Sequence, residues 1–229
     1  MTWTRLSHGL QIDPIAGGSP EALVVLLHDY GASPSVLTPV AARWATSVPT
    51  AAFIALDGTQ QLNPYPLEHD ASAAALLDRA TRLLAPLLEQ QLRSRRLQAD
   101  RLVLVGFGLG GTLALHMVLH GAQSCSGVLA FAAQPVRPLP RSLRVDRKIR
   151  LIACAEHGDG GHGRLRDFVA SLTARGIDAR GVVLAGSVLS DAAIRHGGAY
   201  LVELVATAQR HRRPKAWRRA EAVLPSVPE

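Results

Sequence analysis

The stretch Leu102–Leu113, Leu-Val-Leu-Val-Gly-Phe-Gly-Leu-Gly-Gly-Thr-Leu, constrains this chain more than any other. Four apolar residues rich in β-formers read as a strand buried on both faces, the kind found inside a parallel sheet. Gly106, Gly108, Gly110 and Gly111 then crowd a corner where only hydrogen replaces a side chain. Such spacing permits a tight turn and a close backbone approach. The segment from Gly110 to His120 reads as the helix that follows. A strand, a sharp corner and a helix in immediate succession commit the chain to an α/β architecture.

The rest of the sequence alternates in the same manner. Ala22–His28, Ala51–Leu56, Gly127–Ala132, Ile149–Ala155 and Gly181–Leu184 are short apolar runs that predict strands. Between them, helical spacing is found at Leu37–Ser47, from about Asp70 to Leu97, at Arg164–Arg175 and at Asp191–Gln209. The long Asp70–Leu97 segment carries Leu76, Leu77, Leu83, Leu84, Leu87, Leu88 and Leu92 at amphipathic intervals. A polar loop with Asn63-Pro64-Tyr65-Pro66 precedes it, and prolines 135, 138 and 140 mark another. The expected fold is one α/β domain over residues 1–209, a mostly parallel sheet with helices on both faces. In such sheets ligands sit beyond the carboxyl ends of the strands.

Composition excludes several classes. No apolar run reaches membrane-spanning length. Met1-Thr2-Trp3-Thr4-Arg5 lacks the cationic-then-apolar order of a secretory leader. Cys125 and Cys154 sit near apolar strands and read as reduced core residues, which with the leader argument gives a cytoplasmic expectation. The formal charge of +7 is concentrated in residues 210–229, where six Lys/Arg, all within 210–219, meet only Glu221 and Glu229. This basic C-terminal tail reads either as a weak site for nucleic acid or an anionic membrane, or as a solvated extension. Lys148 and Lys215 are the only lysines, so the positive charge is an arginine bias of the whole chain.

Two motifs and the order of elements resemble the α/β-hydrolase superfamily, in particular its small carboxylesterase/phospholipase branch with acyl-protein-thioesterase-like members. Leu26-Leu27-His28-Asp29-Tyr30-Gly31 is similar to that branch's L-H-G-x-G, and Val105-Gly-Phe-Gly-Leu-Gly-Gly-Thr112 to V-G-F-S-Q-G-G-T. The resemblance runs in order from about residue 22 to 206. It implies a nucleophile elbow at the corner, with a catalytic Ser, Asp and His following in that chain order.

All three implied positions are vacated. The middle of the elbow is Gly108, which has no nucleophile. The acid position, after the strand Ile149–Ala155, falls on His157, with Asp159 or Glu156 available only if the loop has shifted. The histidine position falls on Val188, and no histidine lies between His162 and His196. The resemblance also implies oxyanion-hole donors at the backbone N–H groups of Tyr30 and Leu109, in a pocket shaped by His28 and Gly31. Backbone donors survive the loss of side chains, so a small acyl or carboxylate ligand, or a protein partner, is the expected use of the pocket; a closed apolar remnant is the alternative.

Other readings of the same residues are weaker. Gly106, Gly108 and Gly111 spell G-x-G-x-x-G, a dinucleotide fingerprint, but the next strand ends Ala132-Ala133-Gln134 without the acid that would hold a ribose. Glu156, His157, Asp159 and His162 crowd one loop at spacings too loose for a zinc site. His116 and His120, four apart on one helix face, lack a third ligand in the sequence. Ser187 and Ser190 lie near position 188 with no base to activate them. No metal and no cofactor are therefore expected. The sequence points to an inactive hydrolase scaffold; the alternative is an atypical carboxylic-ester hydrolase with non-standard catalytic groups.

Overall fold

The computed structural model describes residues 2–57, 70–120, 123–134, 139, 147–155 and 160–210. Among these residues eight strands form one sheet: β1 (Thr4–Leu6), β2 (Gly9–Ile12), β3 (Ala22–Leu27), β4 (Ala51–Leu56), β5 (Leu102–Phe107), β6 (Gly127–Phe131), β7 (Lys148–Ala155) and β8 (Asp178–Ala185). Their order across the sheet is β1-β2-β4-β3-β5-β6-β7-β8. Only β2 runs against its neighbours, β1 and β4; every pairing from β4 to β8 is parallel. The α/β-hydrolase-like architecture expected from the sequence is what the chain adopts.

Strands β3, β4, β5 and β6 are buried along their whole length, which is why they read as unbroken apolar runs. Alternate residues of these strands feed two cores. On one face Leu23, Val25, Leu27 and Leu104 pack under α2 (Asp70–Ser94), α3 (Leu109–Leu119) and α4 (Gly160–Thr173). On the other, Val24, Leu26, Val103 and Val105 pack under α1 (Thr38–Ala45) and α5 (Asp191–Arg210). Trp44 of α1 lies over Phe107 and Phe131, at centroid distances of 6.4 and 6.1 Å, and its Nε1 donates to the Ile194 carbonyl of α5 at 2.9 Å.

Four local differences from the sequence-based expectation have physical causes. The β1–β2 hairpin is not predicted: strands of three and four residues carry no countable period, and β2 is held by its pairing with β4. Helix α4 begins at Gly160 rather than Arg164, because three of its first four residues are glycines that give no helical signal. Strand β8 covers Asp178–Ala185 instead of only Gly181–Leu184, its polar start being an exposed sheet edge aligned by β7. Helix α2 ends at Ser94, and Arg96 at φ 55° turns the chain away before Leu97. No described helix is long and apolar enough to cross a membrane. The basic segment 211–229 lies outside the described residues, as does the Asn63–Pro66 loop.

The order of strands fixes where a site can be. After β3 the chain turns to β4 on one side, then returns to place β5 on the other. The connections leaving β3 and β5 therefore diverge, and in sheets of this kind the carboxyl ends at such a divergence are where ligands bind. The register pairs Leu27 with Gly106, so Asp29 and Gly108 emerge side by side at those carboxyl ends.

Candidate functional site

The corner after β5 keeps its geometry without its side chain. Gly108 has φ 53° and ψ −116°, a backbone state strained for any residue with a Cβ. Its N–H donates to the Phe131 carbonyl at 2.8 Å, and its own carbonyl accepts from the Thr112 N–H at 3.0 Å as α3 begins. All eleven residues of α3 are buried between α2 and the sheet, so the corner is anchored by a helix that is apolar nearly all round. Gly110 lets that helix touch β3: a Cβ there would lie 2.3 Å from the Leu27 carbonyl oxygen.

The loop after β3 faces this corner. His28 is 1% exposed and its Nδ1–H donates to the Asp29 carbonyl at 2.8 Å. The same carbonyl accepts from the Ala32 N–H at 3.1 Å, while Gly31, at φ 72°, turns the chain. His28 and Gly31 thus shape the loop. The backbone N–H groups of Tyr30 and Leu109 converge from two segments onto one point, as the resemblance implies for oxyanion-hole donors. That point is already filled. Asp29 Oδ1 accepts from both, each at 2.8 Å.

The carboxylate also fills the place of the missing side chain. An ideal Cβ built on Gly108 would stand 2.2 Å from Asp29 Cγ, Oδ1 and Oδ2 alike. Asp29 occupies the glycine position of L-H-G-x-G that directly follows the histidine, and the sequence alone assigns it no role. The departure from that glycine is the available signal; what it means depends on the spatial partner at position 108.

The other positions that the resemblance implies for the triad separate into described and undescribed. Val188, in the turn between β8 and α5, is half-buried against the second core and carries no titratable group. Ser187 and Ser190 serve that turn: Ser187 Oγ accepts from Leu189 N–H and Ser190 Oγ from Ala193 N–H, both at 3.3 Å. Glu156, His157 and Asp159, the alternative acids included, lie outside the described residues, as does the side chain of His162. A cleft of about 620 Å³ opens beyond β6 and β7 against α4, with Gln134, Cys154, Arg164 and Asp167 among its lining. Gly108, Asp29, Tyr30 and Leu109 are not among the residues that line it.

His116 and His120 stack at 4.1 Å between ring centroids, and the fold supplies a partner that the sequence does not offer. Asp78 of α2 meets His116 Nε2 at 2.7 Å. Burial and the neighbouring His116 both push the His120 imidazole below its ordinary range, with Asp78 opposing. No group of three or more metal-ligating side chains able to hold an ion occurs among the described residues.

A doubly covered parallel sheet with an elbow after β5 and converging N–H donors at the switch point defines the carboxylesterase-like α/β-hydrolases as a class. Residues 15–158 match the phospholipase/carboxylesterase family, and the chain belongs to it. No curated protein matches the sequence. Among solved structures, esterase PE8 is similar at 24% identity and a TM-score of 0.74, covering 86% of this chain and 98% of that one. A carboxylesterase from Mesorhizobium loti is similar at 19% identity and a TM-score of 0.66, covering 87% and 98%. A carboxylesterase from Bacillus cereus is similar at 13% identity and a TM-score of 0.64, covering 85% and 92%. At these identities the likeness is one of fold.

Proposed function

We propose that this member of the phospholipase/carboxylesterase family is catalytically silent, and that its strand-end site serves as a binding or regulatory scaffold. One observation carries the reading: the elbow position is Gly108, and the space of its absent side chain is taken by the Asp29 carboxylate. Ester hydrolysis by a serine needs a hydroxyl, an imidazole to deprotonate it, and a carboxylate to orient the imidazole, each acting only with the others. Loss of nucleophile or base alone costs about 10⁶-fold in turnover, roughly 8 kcal/mol of barrier. Here Val188 supplies no base at the implied histidine position.

Asp29 is a poor substitute nucleophile despite standing where one belongs. Its Oδ1 holds both N–H donors that a tetrahedral intermediate would need. Attack by that carboxylate would forfeit the stabilisation that makes the site useful. What the site offers once that carboxylate turns aside is a pair of N–H donors for a carboxylate or a carbonyl oxygen, the chemistry of a small acyl or carboxylate ligand or of a partner protein's side chain.

The test is hydrolysis of a short-chain aryl ester by the purified protein, together with labelling by a fluorophosphonate probe. Background turnover without labelling is the expected result. Turnover well above background would establish instead an atypical ester hydrolase using non-standard groups.

A further inference from the structure

Asp29 joins two segments that the sequence keeps far apart. Its carboxylate lies 80 residues from Leu109 along the chain, yet one oxygen accepts from the first N–H of α3 and from the N–H of Tyr30. Gly108, the residue that precedes α3, makes no side-chain cap of its own. The carbonyl of Asp29 is held by His28 and Ala32, so the backbone that aims the carboxylate is fixed at both sides. With no side chain at 108, the space that a Cβ would take is filled by the Asp29 carboxylate.

We infer that Asp29 is a tethered occupant of the oxyanion hole, an autoinhibitory contact that closes the site to carboxylates and carbonyls from solution. This deepens the binding reading above but does not depend on whether the protein turns over esters. The chemistry is a like-for-like competition. A group attached one residue from a donor competes at the millimolar effective concentrations of short tethers or higher. If the hole is filled nine times in ten, an external carboxylate binds on the order of tenfold more weakly than to the emptied hole. Opening therefore requires Asp29 to turn outward, a motion its exposed position permits.

The experiment uses the full chain and sodium acetate as the probe, with sodium chloride at matched ionic strength as the blank. In the wild type, a through-hydrogen-bond coupling between the Leu109 amide nitrogen and the Asp29 carboxyl carbon is expected. Its absence overturns the inference, whether or not any variant folds. In Asp29→Ala, the Tyr30 and Leu109 amide resonances are expected to shift together and saturably with acetate. The wild type should show at least tenfold weaker response at the same amides. Asp29→Asn, whose amide oxygen can still accept, should resemble the wild type. Equal acetate response in wild type and Asp29→Ala, or none in a folded Asp29→Ala, overturns the proposal. Ester turnover by the wild type would refute the silent-scaffold reading and leave these amide measurements standing.

Discussion

Replacing Gly108 by alanine adds a single methyl group, and the structure dictates two separate costs. The first is backbone strain: φ 53° with ψ −116° is a state that an L side chain resists, worth about 1–3 kcal/mol. The second is eviction of the Asp29 carboxylate, which lies 2.2 Å from the new Cβ. Eviction breaks two hydrogen bonds of 2.8 Å, each contributing about 0.5–1.5 kcal/mol net at this exposed rim. Gly108→Ala should therefore destabilise by roughly 2–6 kcal/mol. In an Asp29→Ala background the second cost has already been incurred, and the same substitution should cost only the strain. The double variant is then about 1–3 kcal/mol less destabilised than the sum of the single ones. Urea unfolding of the four proteins, at constant denaturant slope, measures the cycle. Additivity within about 0.5 kcal/mol would refute the geometry, because residues that do not touch add.

Two further outcomes concern charged groups. The Arg150 guanidinium, fully buried and bonded to Glu203 and Asp178, pulls the Glu203 carboxyl from 4.5 down to about 2, with burial opposing and Lys148 adding. A depressed carboxyl contributes stability above its unfolded value, so roughly 1–3 kcal/mol should be lost as pH falls from about 4.5 to about 2. Glu203→Gln should flatten that part of the acid-unfolding profile, and an unchanged profile would show that the network carries no such linkage. His120 should titrate below the ordinary histidine range in ring-proton spectra, and His116→Phe should move it upward by removing the repelling imidazole. Because the folded value is the lower one, this group withdraws stability as pH falls through about 6.5.

Much of the fold is legible in advance because its central strands are buried on both faces. Each of β3 to β6 is an apolar run bounded by turn residues, so local composition and final environment agree. Agreement fails at the edges. The β1–β2 hairpin and the polar start of β8 owe their conformation to neighbouring strands, and nothing in their own few residues specifies it.

The site divides along the same line. Sequence by itself determined that position 108 has no nucleophile, that position 188 has no imidazole, and that a glycine-rich corner joins a buried strand to a helix. Those are statements about which atoms exist, and a sequence contains them completely. Tertiary structure alone decided which partners the side chains that are present have. Asp78 became a partner for His116 because α2 packs on α3, and Asp29 reached the hole because β3 pairs with β5 in a register that sets Leu27 beside Gly106. A carboxylate has no meaning at residue 29 until a second segment brings two N–H donors within 2.8 Å of it. Side-chain identity is local, whereas hydrogen-bond partners are chosen by the packing of segments distant in the chain.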